Sequence, residues 1–249
     1  MNDSVLTPPV KEYLLAFADD EHLMGQQHTE WIGVAPFLEE DMAFASIGQD
    51  ELGHALMLYT LILESPSGID TYVFNRKSEE WRSCQLVEST HRRWEEALIR
   101  HWCYDMAEDL RWELFSDSSI PELISISERA LKEETYHRRH AEALVENLFM
   151  IPDSKLRLMR ALEVVVPQVL GLFSPIPGEE EAISCGVVSG KYSDLLPIWR
   201  TRLEERFGVL DSGLFIQADN ENRTQRHSDF DYLFGRIREV FLLDPKAVW

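Results

Sequence analysis

The segment Gln49-Asp50-Glu51-Leu52-Gly53-His54-Ala55 decides how the rest of the sequence is interpreted. Glu51 and His54 are three residues apart, so on an α-helix they share one face and can reach one point beside it. A carboxylate and an imidazole directed at one point are typical ligands of a divalent metal. Because Glu-x-x-His also arises by chance in a Glu-rich chain, its meaning depends on which other residues reach that point.

A second copy of the pattern occurs at Glu134 and His137, and each copy follows an acid on the preceding predicted helix. Glu21 lies 30 residues before Glu51, and Asp105 lies 29 residues before Glu134. In an antiparallel helical hairpin, residues equally far from the turn lie at the same height. The sequence therefore predicts two similar hairpins, each with two acids and one histidine at one level. The six predicted metal ligands are Glu21, Glu51, His54, Asp105, Glu134 and His137.

These residue types predict a centre of two iron ions, with manganese as the alternative. Four-helix bundles of the ferritin-like type hold di-iron and di-manganese centres with this ligand arrangement. Four carboxylates at one level of a dry core repel one another, and two divalent cations would neutralise them. Since helix phase is uncertain by a residue, Glu133, Glu108 and Asp109 remain open as replacements for a chosen ligand.

A third Glu-x-x-His, at Glu88 and His91, lacks the accompanying acid. The positions about 30 residues upstream are Leu58 and Tyr59. The motif also lies at the start of a predicted helix. We interpret it as surface chemistry or helix capping.

Helical periodicity runs through the whole chain, and no alternating run is long enough to support a sheet. The predicted fold is all-α, a ferritin-like four-helix bundle with additional C-terminal helices. We predict one domain over 1–249, with the bundle core at about 9–150, a helical extension at about 151–249, and an exposed loop at 217–225. The predicted helices are 8–32, 36–64, 86–115, 121–151, 153–173, 192–207 and 228–243.

Composition excludes several other classes of protein. The chain has 249 residues and a formal net charge of -20, which argues against nonspecific nucleic-acid binding. No secretory signal or apolar run long enough for a membrane span is visible, so we expect neither export nor a membrane. Three widely spaced cysteines fit a reducing cytoplasm without disulfides. No Gly-x-Gly-x-x-Gly fingerprint occurs, so electrons for redox chemistry would come from an external reductase.

Several segments resemble the phenylacetyl-CoA epoxidase family, the ferritin-like multicomponent oxygenases of aerobic phenylacetate breakdown. The two Glu-x-x-His segments at Glu51 and Glu134 resemble the family's ligand helices. More specific similarity to its C-type subunit lies in Glu30-Trp31-x-Gly33-x-Ala35-Pro36, 70–76, Leu86-Val87-Glu88 and the tail ending in Trp249. The resemblance runs nearly end to end and is looser after about residue 150.

The resemblance implies two different roles. In that family the A-type subunit carries the di-iron site and epoxidises the aromatic ring of a coenzyme A thioester, whereas the C-type subunit has lost ligands and acts as a scaffold. In this sequence all six predicted ligands stand where those of the A-type subunit stand. The implied function is activation of O₂ to oxygenate or oxidise a small organic substrate, with an aromatic acyl-CoA as the candidate.

Two alternatives remain open. One is a non-catalytic structural subunit that forms an oligomer with itself or with a related ferritin-like subunit. Iron storage or peroxide detoxification would use the same ligands. Candidate interface anchors on outer faces are Trp81, Trp94, Trp199 and Trp249, and candidate contacts for coenzyme A are Arg100, Arg138 and Arg139.

Overall fold

The computed structural model describes residues 5–216 and 223–246. Within these ranges the protein is all-α, with no strand, which confirms the predicted fold class. Short 3₁₀ turns occupy 78–80, 170–173, 192–195 and 212–215. The α-helices are α1 (Pro8–Thr29), α2 (Leu38–Leu63), α3 (Ile69–Asn75), α4 (Gln85–Glu88), α5 (Trp94–Glu113), α6 (Pro121–Phe149), α7 (Pro152–Val169), α8 (Glu179–Ser184), α9 (Leu196–Phe207), α10 (Phe230–Ile237) and α11 (Glu239–Leu243).

Four long helices form the bundle, as two hairpins that face each other. Helix α1 packs along α2, and α5 packs along α6. The hairpins meet where α2 contacts α6 and where side chains of α1 reach α5. The helix ends agree with local chemistry: Thr7 caps α1 ahead of Pro8 and Pro9, and α2 stops at Glu64, whose φ is 54°.

Two predicted helices are interrupted in the structure. The predicted helix 86–115 is two helices, α4 and α5, separated by residues 89–93. Backbone groups in this break bond to side chains instead: the Gln27 amide donates to the Ser89 carbonyl, and Asp229 accepts from the Thr90 N–H. The predicted helix 228–243 is divided into α10 and α11 at Arg238. Helices α3 and α8 were not predicted from the sequence, because they are too short for a periodic signal.

The C-terminal helices pack against the bundle. Helix α7 lies along α5, and the indole N–H of Trp199 on α9 donates to the Cys103 carbonyl at 2.9 Å. Arg223 is buried and its guanidinium reaches Asp20 at 2.8 Å, so the prediction of an exposed loop at 217–225 is wrong at this residue. Residues 217–222 of that loop lie outside the described ranges. The division into one domain stays a prediction.

Two of the predicted interface tryptophans lie in the core. Trp81 and Trp199 are completely buried, so the prediction that they are exposed anchors is wrong. Trp94 is partly buried, with its ring against Trp31 and Phe44. Trp249 lies outside the described residues. None of the described helices is both long and apolar enough to cross a membrane.

Candidate metal centre

The four bundle helices carry the six predicted ligands into the interior. Glu21 comes from α1, Glu51 and His54 from α2, Asp105 from α5, and Glu134 and His137 from α6. Each of the six is 0–1% exposed. Four buried acids and two buried histidines on four neighbouring helices give this bundle an ionisable interior.

Direct contacts join the ligands in pairs. The Nδ1 atom of His54 lies 3.0 Å from the Glu21 carboxylate, so the acid of α1 and the histidine of α2 meet as the hairpin argument predicted. The Nδ1 atom of His137 lies 3.2 Å from the Glu134 carboxylate. Glu51 and Asp105 do not contact either histidine at this range. The nearest imidazoles to them are those of His28, at 3.5 Å from Glu51, and of His101, at 2.9 Å from Asp105.

The outer nitrogens of the two histidines are held by acids from the opposite motif. The Nε2 atom of His54 lies 2.8 Å from Glu133 on α6, and the Nε2 atom of His137 lies 3.3 Å from Asp50 on α2. A carboxylate at one ring nitrogen orients the imidazole and leaves the other nitrogen directed inward, as outer carboxylates do in metal sites. Each motif therefore positions the histidine of the other.

The three acids named as possible replacements for a predicted ligand have different contacts in the structure. Glu133 orients His54, so it does not replace Glu134. Asp109 pairs with Arg138 and Arg202 at the side of the bundle. Glu108 is completely buried, and its carboxylate pairs with Arg111, which also lies 3.5 Å from Glu21, so Glu108 joins the centre as a fifth carboxylate.

Several carboxylate oxygens of the centre have no hydrogen-bond partner among the described residues. Both oxygens of Glu51 and both of Asp105 are in this condition, as is Oε2 of Glu134. Leaving a buried acceptor without a partner costs about 1–3 kcal/mol, and more if the group is charged. A bound cation would satisfy these oxygens, so the donor set fits a divalent metal on chemical grounds.

Burial and mutual repulsion change the acidity of the centre. Burial raises the pKa of Asp105 to about 8. Burial and the neighbouring Glu21 and Asp105 carboxylates raise the pKa of Glu51 well above its usual range. Burial also opposes ionisation of Glu21, but hydrogen bonds with Glu108 and His54 outweigh it and lower this pKa to about 2. Burial disfavours the charged form of His54, yet its bonds to Glu133 and Glu21 raise its pKa to about 9.

One arginine supplies permanent positive charge beside these acids. The Arg111 guanidinium lies 2.5 Å from Glu108 and 3.5 Å from Glu21, and it stacks over the Phe17 ring. Its other amine lies 2.8 Å from Asp20. Among the five buried carboxylates of the centre, Arg111 contacts Glu21 and Glu108 and compensates their charge.

Asp50, Glu133 and Arg111 were not predicted from the sequence as parts of the centre in these roles. A signal for the two acids was present, since both ligand motifs read acid-Glu-x-x-His, whereas Val87 precedes Glu88 in the third. Nothing in the local pattern singled out Arg111.

The interpretation of the third Glu-x-x-His as surface chemistry is wrong. Glu88 is completely buried, and Ser83, Arg226 and the backbone of His227 donate to its carboxylate. His91 is 6% exposed and accepts from Arg100 at 3.3 Å. The motif has a structural role: its acid links α4 to the C-terminal segment, and its histidine bonds to Arg100 of α5.

Within the described ranges, no group of three or more His, Cys, Asp or Glu side chains is arranged to hold a metal ion as it stands. His54 and Glu21 share a hydrogen bond that a metal bound to both of them would have to replace. The predicted coenzyme A contact Arg100 is also not at a mouth: it is completely buried and donates to Gln27.

Comparison with known proteins identifies the family to which this buried centre belongs. The family model described as "phenylacetic acid catabolic protein" matches residues 2–249. The chain belongs to this family. The C-type subunit of the 1,2-phenylacetyl-CoA epoxidase of Escherichia coli (strain K12) is 32% identical over 138 residues, which are 55% of this chain and 56% of that relative. The match thus spans little more than half the length of this curated relative.

Membership of the phenylacetic acid catabolic family and the similarity to a C-type subunit confirm the predicted resemblance. The link to phenylacetate catabolism follows from the family itself.

Proposed function

We propose that this phenylacetic acid catabolic protein is a carboxylate-bridged di-iron oxidoreductase that activates O₂ to oxygenate or oxidise an organic substrate. The observation that carries the proposal is that no oxygen of Glu51 or Asp105 has a hydrogen bond within the described chain, deep in a bundle that also supplies two oriented histidines. A structural core would gain stability by replacing such acids with apolar residues.

In this proposal Glu21, Glu51 and His54 hold one metal ion, and Asp105, Glu134 and His137 hold the other, with manganese as the alternative to iron. The bound metals supply the redox chemistry with O₂. Asp50 and Glu133 keep the histidines aimed inward. Arg111 limits the negative charge, and the ring of Trp112, edge-on to His54 at 5.3 Å, helps to exclude water.

The substrate and the electron donor are inferred from chemistry and from the relative. An aromatic acyl-CoA is the candidate substrate, because the curated relative is a subunit of a phenylacetyl-CoA epoxidase. A separate reductase would supply electrons. A cytoplasmic location remains a prediction from the cysteines.

Metal content tests the proposal. The protein is stripped with a chelator, loaded anaerobically with Fe²⁺, desalted and assayed for iron. We expect close to two ions per chain in the wild type and loss of both in the Glu51→Ala, His54→Ala double variant. The matched control is Glu88→Gln, His91→Asn, which removes the third Glu-x-x-His and should leave iron binding unchanged. Less than one ion per wild-type chain, or full retention in the first variant, would overturn the proposal.

The second candidate function is a non-catalytic structural subunit of a multicomponent oxygenase. Two observations favour it: the similarity to a C-type subunit, and the direct pairing of Glu21 with His54 beside Arg111, which satisfies these groups without a metal. This function predicts a stable complex with a related ferritin-like subunit that carries its own metal. Co-expression and size-exclusion chromatography test it, and turnover by the isolated chain would contradict it.

A further inference from the structure

A row of side chains connects the buried centre to the surface between α2, α5 and α6. Oδ2 of Asp105 lies 2.9 Å from Nδ1 of His101. Nε2 of His101 lies 3.2 Å from Nδ1 of His140, and Nε2 of His140 lies 2.9 Å from the Glu40 carboxylate. Each side chain in the row is of a type that coordinates Fe²⁺ or Mn²⁺.

Exposure rises along this row. Asp105 and His101 are completely buried, whereas the side chains of His140 and Glu40 are 14% and 13% exposed. The outer end therefore meets solvent and the inner end is a predicted metal ligand. The ring of Phe44 lies edge-on to His101 at 5.2 Å and forms an apolar wall.

At the inner end of the row, several histidine ring nitrogens that could coordinate a cation make no hydrogen bond within the described chain. His101 Nδ1 has no hydrogen bond within the described chain despite its short distance to Asp105. Beside it, His28 lacks a partner at both ring nitrogens, and its ring is perpendicular to that of His101 at 4.9 Å. A purely structural histidine pair would be expected to use these atoms.

We infer that Glu40, His140 and His101 form a loading route by which a divalent cation reaches the buried centre. The inference rests on the proposed metal-binding function. Glu40 and His140 capture the hydrated cation at the surface, and successive exchange of water for imidazole and carboxylate ligands carries it past His101 to Asp105. Unlike His54 and His137, the residues of this route are not ligands of the proposed centre, so uptake can be separated from binding.

Metal uptake by the chelator-treated full chain tests the route. Co²⁺ is mixed with the protein in a stopped-flow instrument, binding is followed by cobalt absorption, and the final stoichiometry is measured after desalting. The variants are Glu40→Gln and His140→Gln. The matched control is Glu39→Gln, which removes the same charge from the neighbouring exposed position of α2.

We expect uptake to slow by about tenfold in both variants. Glu40→Gln removes a local charge that raises the association rate of a counter-ion by at least that factor, and His140→Gln removes the imidazole that next receives the cation. Final stoichiometry should equal that of the wild type, and the control should load at the wild-type rate. Wild-type rates in both variants would overturn the route, and so would reduced stoichiometry, which would make these residues ligands. A wild type that binds no Co²⁺ and no Fe²⁺ refutes the proposed function itself. If His140→Gln does not fold, the uptake rate of the surface variant Glu40→Gln alone tests the route.

Discussion

Gly25 and Gly48 bring the backbones of α1 and α2 into direct contact. A Cβ atom added to Gly25 would lie 2.9 Å from the Gly48 carbonyl oxygen, and one added to Gly48 would lie 2.9 Å from that of Gly25. Glu21 lies one helical turn before Gly25, and Glu51 nearly one turn after Gly48. The two glycines therefore set the relative height of the acids on the first hairpin.

The first prediction concerns this contact. We expect Gly48→Ala to lower the free energy of unfolding by about 1–3 kcal/mol, because the new methyl group must push two backbones apart. The measurement is the urea midpoint at neutral pH. Gly53→Ala is the control on the same helix: its Cβ would meet only the Arg129 side chain at 3.9 Å, so it should be neutral or stabilising. Equal midpoints for the two variants would contradict the packing argument.

The second prediction compares a buried ion pair with an exposed one. Arg76 donates to both oxygens of buried Asp19, at 3.0 and 2.7 Å, and the Tyr59 hydroxyl donates to the same carboxylate at 2.6 Å. Asp19→Asn leaves the buried Arg76 charge uncompensated and should cost roughly 3–5 kcal/mol of stability. Thermal and urea unfolding give the size of this loss.

The exposed pair of Lys11 and Glu64 is the control for that substitution. The Glu64 side chain is 62% exposed, so Glu64→Gln should change stability by less than about 1 kcal/mol. If Asp19→Asn lowers stability by no more than Glu64→Gln does, the buried pair of Asp19 and Arg76 does not stabilise the fold as proposed.

The third prediction is a dependence of stability on pH. Burial, followed by the charge of Arg100, lowers the pKa of His91 from 6.5 to about 3. Between these values the unfolded chain binds a proton that the folded chain does not, so stability falls as the pH decreases below 6.5. From pH 7 to pH 5 this one group should cost about 2 kcal/mol.

His91→Asn tests this contribution, since the Asn oxygen can still accept from Arg100 while the titrating group is gone. Urea unfolding of both proteins at pH 7 and pH 5 gives the comparison. The decrease in stability should be smaller in the variant by about 2 kcal/mol. An equal decrease in both proteins would assign the acid sensitivity to other groups.

The fourth prediction separates stability from metal binding at Glu51. Burial and neighbouring carboxylates disfavour the charged form of Glu51, so Glu51→Gln should raise the melting temperature of chelator-treated protein at pH 7. The same variant should lose iron and no longer be stabilised by added Fe²⁺, whereas the wild type should be. Scanning calorimetry with and without metal makes the measurement. Destabilisation of the metal-free variant would contradict the charge argument.

The sequence was sufficient for the parts of this fold that depend on periodicity. Glu21, Glu51, Asp105 and Glu134 were found because an acid inside an apolar stripe is visible at a spacing of three or four residues. The interruption at 89–93 was not found, because it depends on Gln27 and Asp229, which are far away in the chain. A hydrogen-bond partner so far away in the chain cannot be predicted from the local sequence pattern.

The same limit applies to the centre. The contact between His54 and Glu133 follows from the antiparallel packing of α2 on α6, which places residues of separate hairpins at one height. Burial of Glu88 follows from Arg226 in the C-terminal segment. In both cases charge pairing over a long sequence separation, and not helix propensity, decides where an ionisable side chain lies.

The contact of Arg223 with Asp20 has a consequence for the cooperativity of unfolding. Asp20 lies on the first helix of the bundle, but one of the two guanidinium groups that neutralise it lies some two hundred residues further along the chain. Detachment of the segment around Arg223 would leave this buried acid held by Arg111 alone, which is costly. We therefore expect that segment and the bundle to unfold together.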